Sequence, residues 1–206
     1  MKEKTQIYVI GLGPGHSDYI LPKALKTLHE VSAVVGFSRA MESIDFVDNK
    51  KIIIKSLKEL KELSEEEKYD SLGVIASGDP CYYGITNYIK NNISEELKVV
   101  PGLSSFQYLS SRLALPWQEA YVGSMHGREE DFCEKVKEYN LSFWLVDKKW
   151  TPEALCEKLY KEGIKGTAYV GENLSYEHEK IFRGTIEEAS KGNFNDLSVL
   201  VIERYE

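Results

Sequence analysis

An apolar run that breaks into closely spaced glycines most limits how this chain can fold. Residues 7–19 read IYVIGLGPGHSDY, with glycine at 11, 13 and 15. A short run rich in β-branched residues and apolar at nearly every position predicts a strand covered on both faces. Glycine then lets the backbone turn sharply and come close to a bound molecule. The pattern recurs twice. IASGDPCYYG (75–84) ends a strand in a tight turn with Asp79 before Pro80, and VVPGLSSF (99–106) ends one in Pro-Gly, with Ser104 and Ser105 at a predicted helix start. Glycines after a single strand need do no more than turn the chain. Three such loops can line one crevice, because parallel α/β sheets gather ligands at the carboxyl ends of their strands. Together they offer backbone groups, hydroxyls and the carboxylate of Asp79, without lysine or arginine. That set suits a cationic or neutral ligand rich in hydrogen-bonding groups.

A dinucleotide is disfavoured. Its fingerprint needs a third glycine three residues after the second, where this chain has His16. Pro14 removes an N–H from the loop that would face phosphate. The second strand ends in VVGFSR, which offers no acid for a ribose hydroxyl.

Further strands are predicted at AVVG (33–36), KIII (51–54), LGVIAS (72–77) and LKVV (97–100), with an amphipathic helix in LPKALKTLHE between the first two strands. This β-α-β rhythm implies a mostly parallel sheet. A second set follows: YVGSM (121–125), SFWLVD (142–147), TAYVGENL (167–174), KIFRGT (180–185) and LSVLVIE (197–203). The short link IEEASKGNFND between the last two suits a mixed sheet. Thr151 is expected to cap a helix with Pro152 at its first position and Gly163 at its stop. SEEEK (64–68) reads as a solvated helix start, where carboxylates favour the dipole. The expected organisation is two α/β domains, 1–113 and 118–206, with the helix in SSFQYLSSRL closing the first before Pro116.

A net charge of −7 without a basic block argues against a nucleic-acid partner. Lys2, Glu3 and Lys4 precede an apolar run of only six residues, so neither a signal peptide nor a membrane span is expected. Cys81, Cys133 and Cys156 are odd in number and far apart, and the histidines at 16, 29, 126 and 178 lack ligand spacing; disulfides and a metal site are not expected. A reducing cytoplasm is the expected compartment.

In order and spacing, GLGPG (11–15), SGDPCYYG (77–84), PGLSS (101–105) and ENL (172–174) resemble the tetrapyrrole methylase family, over nearly the whole chain. SMHGR (124–128) and LVDKKWTPEAL (145–155), around Trp150, are most similar to its cobalt-precorrin-7 (C-5)-methyltransferase branch, also called the precorrin-6Y methylase N-terminal region. The resemblance implies S-adenosyl-L-methionine as cofactor, held in a cleft between two α/β domains, and a corrinoid substrate in cobalamin biosynthesis. It implies a homodimer, and a separate C-15 methyltransferase and decarboxylase for the next step, for which this chain is expected to have no room. Residue by residue, it implies that Pro14, Gly78, Asp79, Tyr82, Ser104 and Ser105 touch the cofactor, joined by Val146 near the adenine and by Leu174. Two departures are Leu21, where many relatives have a capping threonine, and Met125, where leucine is more usual.

A corrin precursor carries many carboxylates, which a guanidinium grips with two hydrogen bonds. Arg128 is the first candidate and Arg39 the second, each against the reading of a solvated surface arginine. His126 is either the base that takes a ring proton or a loop histidine that binds a carboxylate or shapes the turn. Asp79 also suits an Asx turn within its own loop. Tyr82, Tyr83 and Tyr121 either flank a flat macrocycle or pack in the core. Methylation at another ring position, a different acceptor, and a noncatalytic tetrapyrrole-binding module remain as alternatives.

Overall fold

The computed structural model describes residues 4–66 and 68–205. They form two compact units that divide between Ser104 and Ser105. The first contains β1 (Gln6–Gly11), α1 (Pro22–Glu30), β2 (Ala33–Gly36), α2 (Ser38–Glu42), β3 (Lys51–Ile53), α3 (Leu57–Glu65), β4 (Ser71–Ala76), α4 (Thr86–Asn92) and β5 (Leu97–Val100). Its five strands are all parallel, in the order β3-β2-β4-β1-β5.

Alternation along β1 sends its side chains to two separate cores. Ile10 packs with Ala24 and Leu28 of α1 and Met41 of α2. Ile7 and Val9 pack with Leu60 of α3 and Ile89 of α4. The near-continuous apolarity of the strand follows from this double coverage. Helices α1 and α4 therefore lie on opposite faces, and the chain leaves the adjacent strands β1 and β4 toward opposite sides. That is a topological switch point, where open α/β sheets form a crevice.

The second unit contains α5 (Ser105–Leu113), β6 (Tyr121–Ser124), α6 (Phe132–Glu138), β7 (Leu141–Leu145), α7 (Pro152–Lys161), β8 (Gly166–Glu172), β9 (Lys180–Thr185), α8 (Ile186–Ser190) and β10 (Ser198–Arg204). Its sheet order is β6-β7-β10-β8-β9. Only the pairing of β6 with β7 is parallel; the other three are antiparallel, which makes the sheet mixed. Trp144, Val170 and Leu200 face α6, α7 and α8 in one core. On the other face, Phe106 of α5 meets Phe143, with ring centroids 5.9 Å apart.

That contact moves the division of the chain. The boundary was expected at 113–118, with α5 in the first domain, yet α5 buries Phe106 and Leu109 on the second sheet and belongs with it. SEEEK is a second correction. Ser56 caps α3 by accepting the Glu59 N–H at 3.3 Å, so Ser64 and Glu65 lie at the carboxyl end of that helix, and Glu67 lies outside the described residues. The helix from Pro152 is as expected: the Thr151 hydroxyl accepts the Ala154 N–H at 3.3 Å, and Gly163 takes φ +72° just past the end. Leu21 caps α1 without a side-chain hydrogen bond. Among the described residues no helix is long and apolar enough to cross a membrane.

Candidate functional site

In the first unit, the three glycine-bearing loops meet at the carboxyl ends of β4, β1 and β5. Gly13 and Gly78 form an antiparallel bridge across the switch point, with N···O distances of 3.3 and 2.8 Å. Both carry positive φ, +80° and +66°, a region that glycine enters without steric cost. A Cβ on Gly102 would stand 2.1 Å from the Gly78 carbonyl oxygen, so the third loop touches the second backbone to backbone. Asp79 joins the same two loops through its side chain: Oδ1 accepts the Cys81 N–H at 2.8 Å and Oδ2 the Gly102 N–H at 3.2 Å. The Asx-turn reading of Asp79 thus holds, and the carboxylate also ties one loop to the next.

Pro14 follows the bridge directly and is half-buried, as is Tyr82, whose N–H reaches the Asp79 carbonyl at 3.2 Å. Ser104 is buried, and its Cα would lie 3.7 Å from a Cβ on Gly78. Among the described residues, apart from its chain neighbours, nothing else stands within 4 Å of that Cβ, which leaves the space over Gly78 as a cradle that a side chain would fill. Ser105 opens α5. Arg39 is exposed on α2, just past the carboxyl end of β2, the neighbour of β4. A cavity of about 540 Å³ opens at the other end of the sheet, by Gln6 and Glu96. The buried hydroxyls of Thr5 and Ser94 there are bonded to the Tyr69 and Glu96 carbonyls.

In the second unit, the parallel pair β6 and β7 brings two loops side by side at their carboxyl ends. The Met125 N–H extends the ladder to the Leu145 carbonyl at 2.8 Å. His126 Nδ1 lies 3.1 Å from the Val146 carbonyl oxygen, and its N–H meets Ser124 Oγ at 3.2 Å. Gly127, at φ +66°, donates its N–H to Asp147 Oδ2 at 2.8 Å, while Asp147 Oδ1 accepts from Lys149 and Trp150, each at 2.8 Å. These donors, the Gly127 N–H above all, hold the Asp147 carboxyl below the usual carboxylate range. Glu130 closes the other end of the β6 loop, accepting from the Ser124 N–H at 3.2 Å and the Tyr121 hydroxyl at 2.7 Å. The two segments singled out in the sequence, SMHGR and LVDKKWTPEAL, are thereby bonded to each other. His126 and Arg128 are both exposed on this loop.

Other expected residues also pack within the second unit. The Tyr121 ring lies 5.1 Å from Trp144 and 5.3 Å from Tyr139, centroid to centroid. Val146 is buried in the core of the second unit. Leu174 is buried near Gly171, between Asn173 and Ser175, whose φ values of +48° and +68° are rare for L residues. Glu179 secures this turn. Its Oε2 accepts the Ser175 N–H at 2.7 Å and the Tyr108 hydroxyl at 2.6 Å, and its Oε1 accepts Arg112 Nε at 3.0 Å.

Sequence reading missed Gly102, Glu130, Asp147 and Glu179 as organising residues. Asp147 carried a signal, because an aspartate two residues before the amide it accepts, just ahead of a capped helix, is an Asx-turn pattern. Glu179 carried none, since its partner Tyr108 is 71 positions away.

Comparison with known proteins agrees with this arrangement. The family model described as Tetrapyrrole (Corrin/Porphyrin) Methylases matches residues 6–190. A protein of Methanocaldococcus jannaschii named "Probable cobalt-precorrin-7 C(5)-methyltransferase" is 32% identical over 96% of this chain and 97% of its own length. Among solved structures, the precorrin-6Y methylase of Archaeoglobus fulgidus superposes with a TM-score of 0.77 at 23% identity, covering 98% of this chain and 99% of that one. A uroporphyrin-III C-methyl transferase of Thermus thermophilus, complexed with S-adenyl homocysteine, gives 0.78 at 18% identity, covering 96% of both chains. At these identities the two structures establish the fold.

Proposed function

Because the chain belongs to the tetrapyrrole (corrin/porphyrin) methylase family, we propose that it transfers a methyl group from S-adenosyl-L-methionine to C-5 of a cobalt-precorrin-7-type macrocycle. The position on the ring is taken from the Methanocaldococcus relative, which matches this chain nearly end to end. The observation that carries the reading is the glycine convergence at the ends of β1, β4 and β5. It gathers the backbone of three loops whose sequences hold no lysine or arginine, and the carboxylate of Asp79, bonded across two of them, is already held by two N–H donors. Such a surface suits the hydroxyls and amino-acid tail of a nucleoside sulfonium and disfavours a polyphosphate.

When bound, the cofactor supplies an electrophilic methyl whose C–S electron pair returns to sulfur as the ring carbon forms the new C–C bond. The chain's own task is mainly positioning, which in well-oriented cases is worth about 7–11 kcal/mol of barrier. In this reading Pro14, Gly78, Asp79, Tyr82, Ser104 and Ser105 hold the nucleoside and its tail, and Val146 and Leu174 border the adenine. Arg128 and Arg39 receive ring carboxylates, and Tyr121, through Glu130, keeps the Arg128 loop in shape. His126 accepts the proton that the ring gives up and returns it to solvent.

Incubation with methyl-labelled donor and a defined cobalt-precorrin tests this, with mass spectrometry and carbon NMR of the product. Label at C-5 is expected. Label at another carbon would overturn the ring position, and binding without label transfer would favour a carrier.

A further inference from the structure

We propose that Asp147 is the positioning residue that fixes the imidazole of His126 as its Nδ1–H tautomer, which makes Nε2 the proton-accepting atom. This rests on the reading of His126 as the base. A carbonyl oxygen has lone pairs and no hydrogen, so the 3.1 Å approach of His126 Nδ1 to the Val146 carbonyl is a hydrogen bond only when Nδ1 carries the hydrogen. In the neutral ring the free lone pair then sits on Nε2. An exposed histidine on a free loop would exchange between tautomers; here two consecutive residues are tied to two consecutive residues. His126 is bonded to Val146 and Gly127 to Asp147.

Asp147 is what makes the tie rigid. Its Oδ1 gathers the Lys149 and Trp150 N–H groups into a turn that starts one residue after Val146, and its Oδ2 reaches across to the Gly127 N–H. The Asp147 N–H also reaches the Trp150 carbonyl, at 3.4 Å. With three backbone donors on the carboxylate, both the turn that aims the Val146 carbonyl and the residue that follows the imidazole are held by one side chain. On the β6 side, the Ser124 hydroxyl accepts the His126 N–H, and Glu130 accepts the Ser124 N–H, so the backbone that carries the ring is fixed from that side too. No bond of Asp147 to the imidazole is required; it acts through the main chain on both sides of the His126 contact.

Long-range ¹H–¹⁵N correlation spectra of the imidazoles report tautomers directly. The His126 signals are identified by their loss in His126→Gln. Wild-type protein should show His126 as Nδ1–H. In Asp147→Asn, an amide NH₂ facing one of the backbone donors breaks the clamp, and the Nε2–H form should rise. Turnover should fall by about 10- to 100-fold, part of what a positioned base contributes, with KM for the methyl donor changed less than about twofold, because the interaction lost is one made in the transition state. If Asp147→Asn does not fold, Asp147→Ser serves, since a serine hydroxyl can close the Lys149–Trp150 turn but is too short to serve Gly127 as well. A wild-type ring in the Nε2–H form, or folded variants that keep the Nδ1–H spectrum, would overturn the inference. S-adenosylhomocysteine is added in parallel as a thermal-shift probe. Failure to raise Tm would count against the cofactor reading alone, because the tautomer spectrum is read without ligand.

Discussion

A Cβ on Gly11 would lie 2.6 Å from the amide nitrogen of Gly102, so the ends of β1 and β5 meet main chain to main chain. Neither side can yield by moving a side chain. Gly11→Ala and Gly102→Ala should each cost about 1–3 kcal/mol from overpacking, seen as an earlier urea midpoint with unchanged slope. Because the strain falls on the loops proposed to hold the nucleoside, the thermal shift produced by S-adenosylhomocysteine should also vanish. A full shift in Gly102→Ala would separate this junction from cofactor binding.

The turn at Asn173–Ser175 depends on Glu179. Removing the carboxylate in Glu179→Ala takes away the acceptor that the Tyr108 hydroxyl, the Ser175 N–H and Arg112 share, at a cost of about 1–3 kcal/mol for the lost hydrogen bonds. Glu179→Gln should cost less, because one oxygen remains to accept from Tyr108 and Ser175. Amide exchange at residues 173–176 should quicken in both variants, more so in the alanine. Exchange rates equal to wild type would show that the strained turn stands without the anchor.

The clamp residue gives stability a definite pH dependence. The Gly127 and Trp150 amides lower the Asp147 pKa, so the folded protein binds this proton less readily than the unfolded chain, whose aspartate titrates near ~3.9. Its contribution is complete above that value and is lost as pH falls through the lower, folded-state pKa. The stability gap between wild type and Asp147→Asn should therefore be constant from neutrality to about pH 5 and shrink below about pH 4. A gap that widened on acidification would contradict the sign.

Arg128→Ala should raise the KM for the macrocycle while leaving the thermal shift by S-adenosylhomocysteine intact. Loss of one bidentate carboxylate contact corresponds to roughly 1.5–3 kcal/mol, or about 10- to 100-fold. An equal loss of cofactor affinity would mean that the substitution disturbs the fold instead.

Strands were the most legible part of the sequence, because burial on both faces or one writes itself as an unbroken or alternating apolar pattern. AVVG, LKVV and KIFRGT occupy the expected residues, and the helix from Pro152 announced itself through its cap. α5 was legible as a helix but not as a member of the second unit, since amphipathicity tells that a face is buried and not which sheet buries it. The loop sequences pointed to Pro14, Asp79 and Ser104 together, and the Gly13–Gly78 bridge and the Asp79–Gly102 bond bring their loops to one sheet end. What stayed hidden were carboxylates that act on distant main chain. Glu130, Asp147 and Glu179 look like surface acids until the topology brings their donors to them.

The parallel run of β6 and β7 has one more consequence. Arg128 and Glu129 sit exposed between the Gly127 bond to Asp147 and the Glu130 bonds to Ser124 and Tyr121, and Glu129 makes an exposed ion pair with Lys149. Position 129 can exchange charge, bulk or polarity while the Gly127–Asp147 and Glu130–Ser124 main-chain tethers on either side persist. Divergence in macrocycle preference among relatives should accordingly be found at this position, with its frame inherited unchanged.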